Sequence, residues 1–280
     1  MIVDTQLPTN ELFPVTNHAQ PVLRWAGSKR RITPILSAYA PPKYERYFEP
    51  FVGSGALFFC LRPPLAFIGD VNPEVTSTYQ ALKDAPSQVA QHLTEIPKTK
   101  DAYLLLRQLR PADLTTAQRA ARLIFLMKSC FNGVYRTNAS GQFNVPFGST
   151  IYKLPTSEEL QSVSDALKLT QVRTGDYKSW LDIAGVGDFI YLDPPYSCSS
   201  RYRGEYGYDA IFGDVQLEEL LTCCKALQNR GAKVMLSYKN NKQVVNALKD
   251  WRILNLAVPR SVNANSMGRT PAAEILAMNY

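Results

Sequence analysis

The chain has 280 residues, 45% of them hydrophobic, with 31 Lys plus Arg against 24 Asp plus Glu and a formal charge of +7. That length suits a folded domain with a sizeable core, and no apolar run reaches the roughly 20 residues that span a bilayer. Only two histidines are present, His18 and His92, which argues against triad hydrolases and against most zinc and histidine-metal chemistry.

The N-terminal stretch MIVDTQLPTNELFPVTNHAQ has no basic start, apolar centre or small-residue cleavage site, so residues 1–20 read as an arm and not as a signal peptide. WAGSK, Trp25 to Lys29, follows. It lacks the full spacing of a phosphate loop, and ATP hydrolysis is not expected from it. Lys29 on a glycine turn suits either a ligand carboxylate or plain solvent. Next, ERYFEPFVGSGALFFCL reads as a short strand, a turn at Gly53 and Gly55, and a helix start; LAFIGDV is a second strand ending in Asp70. Glu49 and Asp70 thus stand at successive strand ends, where acids can hold ribose hydroxyls or an amino group. The G-x-G alone is equally compatible with a structural turn.

VTSTYQALKD is a helix, after which the strand–helix rhythm stops. Residues 79–160 hold helical runs, DAYLLLRQL and TTAQRAARLIFLMKSCF, and then the loop FNGVYRTNASGQFNVPFG. This section reads as a helical lobe with a β-hairpin, inserted between residues 21–78 and 161–280. No acidic residue occurs from Leu114 to Ser157, while Arg119, Arg122, Lys128, Arg136 and Lys153 are basic and aromatic residues are interleaved with them. Such a surface suits a polyanion with stackable bases, although a solvated helix face gives the same composition. The rhythm then resumes: DFIYLDPPY is a strand, VQLEELLTCCKALQNRG a helix stopped by Gly231, and AKVMLSY a strand. WRILNLAVPRSV and AAEILAMNY are expected as two terminal strands, a hairpin at the sheet edge. Alternation of this kind predicts an α/β fold with a largely parallel sheet. The five cysteines have no metal-type spacing and are expected as reduced cytoplasmic thiols.

DPPY, Asp193 to Tyr196, carries the chemistry. Each proline fixes its own φ and holds the residue before it extended, and neither has an N–H. The result is a rigid turn presenting one carboxylate, one carbonyl and an aromatic face. Two acceptors beside a π surface are what a flat ring bearing an amino group needs.

WAGSK, FEPFVGSG, GDVN, NGVYRTNASGQFNVPFG, DPPY and RSVNANSMGR…AEILA occur together here in one order. In this the chain resembles the Dam-type DNA adenine methyltransferases, from Pro21 to Tyr280. The resemblance implies a Rossmann-like, mostly parallel seven-stranded sheet with an inserted target-recognition lobe. It implies S-adenosylmethionine as cofactor, S-adenosylhomocysteine as product, and no metal. Trp25, Ala26, Gly27, Lys29, Phe51, Gly53, Gly55, Asp70, Asp176 and Tyr177 match cofactor-binding positions, Asp70 at the ribose and Asp176 near the adenine. Asp193, Pro194 and Tyr196 match the catalytic motif, with Asp193 also near the cofactor's amino group.

The resemblance further implies double-stranded DNA as partner, and a restriction endonuclease or defence system as a second. Phe131, Asn132, Val134, Arg136 and Pro146 match positions that enter the stack or read base edges; Lys153, Arg260 and Arg269 are the further DNA-binding candidates. Val134 stands where leucine is expected and Phe131 where tyrosine is commoner, so the recognition sequence is given only as a GATC-like palindrome. The alternatives are methylation of cytosine N4 or RNA, or a non-catalytic nucleic-acid-binding regulator; related cytosine enzymes more often carry serine where Asp193 stands, and the intact Asp193 and glycines argue against the regulator.

Overall fold

The computed structural model describes residues 3–4, 19–196, 212–258 and 272–280. His18, Cys198, Arg260 and Arg269 lie outside these described residues. Eight strands form one sheet: β1 (Val3–Asp4), β2 (Arg46–Glu49), β3 (Ala66–Asp70), β4 (Thr170–Thr174), β5 (Asp188–Leu192), β6 (Lys233–Lys239), β7 (Arg252–Val258) and β8 (Ala272–Met278). Their order is β1-β7-β8-β6-β5-β2-β3-β4. All pairings are parallel except those of β8, which runs antiparallel to both β6 and β7. The seven strands of the expected sheet are therefore present, with the two-residue β1 added at one edge.

β2, β3 and β5 are short apolar runs because both faces of a parallel sheet are covered. Neighbouring residues go to opposite faces: Tyr47 and Phe189 enter one core, Phe48 and Ile190 the other. One face carries the helices α1 (Thr33–Tyr39), α2 (Ala56–Leu61) and α3 (Pro73–Asp84), through Leu36, Phe58 and Tyr79. The α4 (Pro86–Glu95), α5 (Lys100–Gln108), α6 (Thr116–Ser129) and α7 (Ser157–Leu167) helices extend that core. The other face is covered by α8 (Lys178–Leu181), α9 (Asp214–Asn229) and α10 (Lys242–Ala247). A buried ion pair fixes the central register. Asp188, at the start of β5, takes two hydrogen bonds from the Arg46 guanidinium, at 2.8 and 2.7 Å, directly opposite it on β2.

Four expectations can be set against this fold. The last two strands do pair antiparallel at one side of the sheet, as expected, with the two-residue β1 outside β7; β8 is the inner strand, between β6 and β7, and its residues from Glu274 to Met278 are all buried. The positions 79 and 160, expected as lobe boundaries, fall inside α3 and α7. The expected hairpin is an irregular ladder with two isolated antiparallel bridges, Cys130 to Phe147 and Thr137 to Phe143. Glycines and Pro146 within that run interrupt regular pairing. Finally, Arg119 and Arg122 do not lie on a free basic surface. Both turn to Glu74 on α3, with Arg122 buried and also donating to the Leu106 carbonyl at 2.8 Å.

Candidate active site

At the carboxyl ends of β2 and β3 the chain builds a tight cradle. Beyond Glu49 the backbone turns through Gly53, at φ +44°, and Gly55, at φ +66°, before α2 begins. The positive φ at Gly53 suits glycine. So does its contact, since a Cβ there would lie 2.9 Å from the Trp25 ring. Asp70 holds this turn. Its carboxylate accepts from the Gly53 N–H at 3.1 Å and from the Asn72 N–H at 3.0 Å. Tyr79 closes it from below, donating to the Gly53 carbonyl at 2.8 Å. Burial pushes the Asp70 carboxyl up to about 6, against the pull of these backbone donors.

β4 brings the next wall. Gly175 donates to the Asp70 carbonyl at 3.1 Å, and Tyr177 places its ring 5.2 Å from Phe51. Phe212 meets Phe51 edge-on at 6.4 Å, so the three aromatic rings pack together. The buried Tyr177 hydroxyl has no hydrogen-bond partner among the described residues. Asp176 is exposed and caps α8 through the Lys178 N–H at 2.8 Å. Trp25, Ala26 and Gly27 form the opposite lip, with the Trp25 indole stacked on Tyr135 at 5.7 Å.

At the end of β5, beside β2, lies a buried charged cluster. The Lys29 ammonium sits 2.9 Å from Asp193 Oδ1 and donates to the Tyr196 hydroxyl at 3.0 Å. It is 3.7 Å from Glu274 Oε2 on β8. Asp193 is the most open of the three charged side chains, 18% exposed against 6% for Lys29 and 8% for Glu274. Burial pushes its carboxyl up to about 6, although Lys29 works in the opposite direction. Burial lowers the Lys29 ammonium, but Asp193 and Glu274 outweigh it and hold the ammonium above its ordinary value. Glu49 is fully enclosed and accepts from the Tyr47 hydroxyl at 2.8 Å; burial drives its carboxyl up to about 8. Near neutrality Glu49 is therefore the proton-bearing acid of the group.

The irregular ladder forms a separate face. Phe131 is half-exposed, and Asn132 beside it adopts a left-handed backbone, φ 55°. Asn132, Val134 and Arg136 point outward in alternation with the buried Gly133 and Tyr135. Arg136 donates to Asn144 at 2.7 Å, and exposed Pro146 accepts from the Phe131 N–H at 3.0 Å. Lys153 stands on the surface, paired with Glu159 at 3.1 Å. The structure thus gathers Phe131, Asn132, Val134, Arg136 and Pro146 along one irregular segment. It joins that segment to the Trp25–Gly27 lip through Ala26 N–H to the Gly133 carbonyl, 2.9 Å.

Residues 25–262 match the family model of the D12 class N6 adenine-specific DNA methyltransferases. The chain belongs to this family. It is 35% identical to the Type II methyltransferase M1.LlaDCHI of Lactococcus lactis subsp. cremoris, over 93% of this chain and 95% of that protein. Type II methyltransferase M.MjaIII of Methanocaldococcus jannaschii is 31% identical over 93% and 99% of the two chains. The DNA adenine methylase of Haemophilus influenzae is 26% identical over 95% and 96%. The protein is an adenine-specific DNA methyltransferase.

Two parts of this methyltransferase's site were not found from sequence. Glu274 was read only as part of a strand; its signal was a single acid within AAEILAM, at a position whose neighbours are all apolar. Tyr135 was read only as an aromatic near basic residues. In the fold it stacks on Trp25, and so ties the outward ladder to the Trp25 lip.

Proposed function

We propose that this methyltransferase modifies the exocyclic N6 of an adenine turned out of duplex DNA, within a short GATC-like palindrome. The observation that carries the reading is the end of β5: a buried but accessible carboxylate, Asp193, and the Pro194 carbonyl on a backbone fixed by two prolines, with the Tyr196 ring beside them. The N6 lone pair is delocalised into the purine ring and is a poor nucleophile. When Asp193 and the Pro194 carbonyl each accept one of its N–H groups, the nitrogen is drawn toward tetrahedral geometry and the pair is freed. The acceptors also lie where positive charge develops on N6, which is where preorganised dipoles lower a barrier most. Tyr196 gives the base a face to stack on.

The cradle fits S-adenosylmethionine. The Phe51, Tyr177 and Phe212 rings suit its adenine, with the Tyr177 hydroxyl, which has no partner among the described residues, available to a polar edge. Asp70 suits its ribose hydroxyls, since a carboxylate already holding two N–H groups retains acceptor capacity. Gly53, Gly55 and the Trp25–Lys29 lip suit its methionine portion. When bound, this group supplies an electrophilic methyl on a cationic sulfur. The N–C bond would form from the N6 lone pair as the C–S bond breaks with its pair left on sulfur, and the N6 proton would pass to solvent along the hydrogen bond that Asp193 accepts.

An adenine inside a duplex cannot bring N6 onto a carboxylate that is only 18% exposed, so it must be unstacked. Phe131 suits the vacated space, while Asn132, Val134, Arg136 and Pro146 suit base edges, Arg136 being a natural reader of guanine. A GATC duplex with 2-aminopurine at the target position tests this. Its fluorescence should rise on binding, and bound DNA with unchanged fluorescence would remove base flipping from the account. Label transfer to duplexes altered at one base at a time tests the palindrome; equal transfer to all of them would reject it.

A further inference from the structure

The position of Lys29 raises a difficulty for the reaction just proposed, on which this inference rests. Its ammonium lies 2.9 Å from Asp193 Oδ1, on the carboxylate that the target amine needs. It also neutralises the charge that should face N6 as positive charge builds there. To accept the amine with full effect, Asp193 must be released.

A second acceptor is already in place. Glu274 Oε2 is buried, has no hydrogen-bond partner within 3.5 Å among the described residues, and lies 3.7 Å from the Lys29 ammonium: an ion pair, but too long for a hydrogen bond. The lysine stem is flexible, and a shift of under about 1 Å brings the ammonium into hydrogen-bond range of Glu274. Tyr196 accepts from the same ammonium at 3.0 Å and links the move to the ring on which the base would stack. Glu274 sits on β8 opposite Lys239 of β6, and its place in the strand is fixed by pairing on both sides.

We propose that Glu274 is a positioning residue for methyl transfer, taking the Lys29 ammonium from Asp193 when the target amine arrives and so leaving Asp193 free to accept it. The buried ion pair is kept throughout, changing partner instead of breaking. An unpaired buried ammonium, which would be strongly disfavoured, is avoided.

Among the described residues, the groups that face Asp193 are Lys29, Glu49, Glu274, Tyr191 and Tyr196, and those that face Glu274 are Lys29, Asp193, Tyr191, Tyr196 and, across the β6–β8 pair, Lys239. Glu274→Gln removes the receiving charge while keeping the shape. Lys29 then stays on Asp193, whose carboxyl also loses the repulsion of Glu274 that raises it. The single-turnover rate should fall at least about tenfold at saturating cofactor and DNA, with both affinities within about twofold of wild type. The acid limb of the pH–rate profile should move to lower pH. A purely structural role would lower the plateau and leave the limb in place. Glu274→Asp, which keeps the charge, should recover part of the rate. Because the defect arises through Lys29, E274Q combined with Lys29→Met should lose no more than Lys29→Met alone.

An unmoved limb together with additive losses in the double variant would overturn the proposal. If E274Q does not fold, the same pH comparison is made with Glu274→Asp, whose limb should move in the same direction by less; an unmoved limb overturns the proposal there too. Wild-type enzyme in the same assay separates the two claims. Failure of wild type to form N6-methyladenine removes the proposed function itself. An active wild type with an ordinary E274Q removes only the role of Glu274.

Discussion

Gly53→Ala probes the cradle most sharply, because Gly141→Ala supplies its control. Both glycines have positive φ, +44° and +74°, so each substitution incurs the left-handed penalty of about 1–2 kcal/mol. They differ in surroundings. A Cβ at Gly141 meets nothing within 4 Å, whereas at Gly53 it lies 2.9 Å from Trp25 Cδ1 and 3.0 Å from Nε1. Overpacking of that kind adds about 1–3 kcal/mol. Trp25 can relieve it only by moving, and its ring is stacked on Tyr135. The extra strain should therefore appear in cofactor binding, weakening it by roughly 5- to 150-fold. Isothermal titration with S-adenosylmethionine and thermal melts of both variants are the assay. Gly141→Ala should melt a few degrees lower and bind normally; Gly53→Ala should melt lower still and bind weakly. Equal affinities and equal melting temperatures for the two variants would show that the Trp25 contact shapes nothing.

Three other predictions concern charge and recognition. Glu49 keeps its proton in the fold up to about 8, while an unfolded glutamate releases it near 4.5. The native state thus binds the extra proton, so stability falls as pH rises through that window. Asp70 and Asp193 act similarly only up to about 6, so chemical denaturation between about pH 6 and about pH 8 should isolate Glu49, and Glu49→Gln should flatten the slope there. Asp193 must be ionised to accept the amine, so the single-turnover rate should rise with pH through about 6; a rate that is flat across that range would contradict this role. Arg136→Ala should lose about 1–3 kcal/mol of discrimination between the methylated sequence and single-base variants, with cofactor binding unchanged; an equal loss on all duplexes would point to a phosphate contact instead.

Much of the catalytic centre was legible because its chemistry is local. The run DFIYL followed by two prolines announces both a buried strand and a rigid acceptor pair, and FEPFVGSG announces a tight turn. β4 was less visible, because Thr170–Thr174 is a polar edge strand with little apolar pattern. The insertion of β8 between β6 and β7 was not legible either: an apolar strand has the same composition whether one neighbour or two cover its edges. Arg119 and Arg122 read as surface charge because their partner, Glu74, lies on a different helix some 45 residues upstream. The link from Tyr135 to Trp25 is likewise made only by tertiary packing. Glu274 left a faint local signal, but its meaning depends on Lys29, which is distant in sequence and adjacent in space.

The central claim is that Asp193 prepares the adenine amine for attack. The most direct test is single-turnover methyl transfer by Asp193→Ala at saturating S-adenosylmethionine and duplex, with N6-methyladenine quantified and binding of both ligands measured separately. The account predicts bound DNA and cofactor with N6-methyladenine formation slower by at least about a hundredfold, the scale of losing one preorganised acceptor. Binding and a rate both equal to wild type would contradict it.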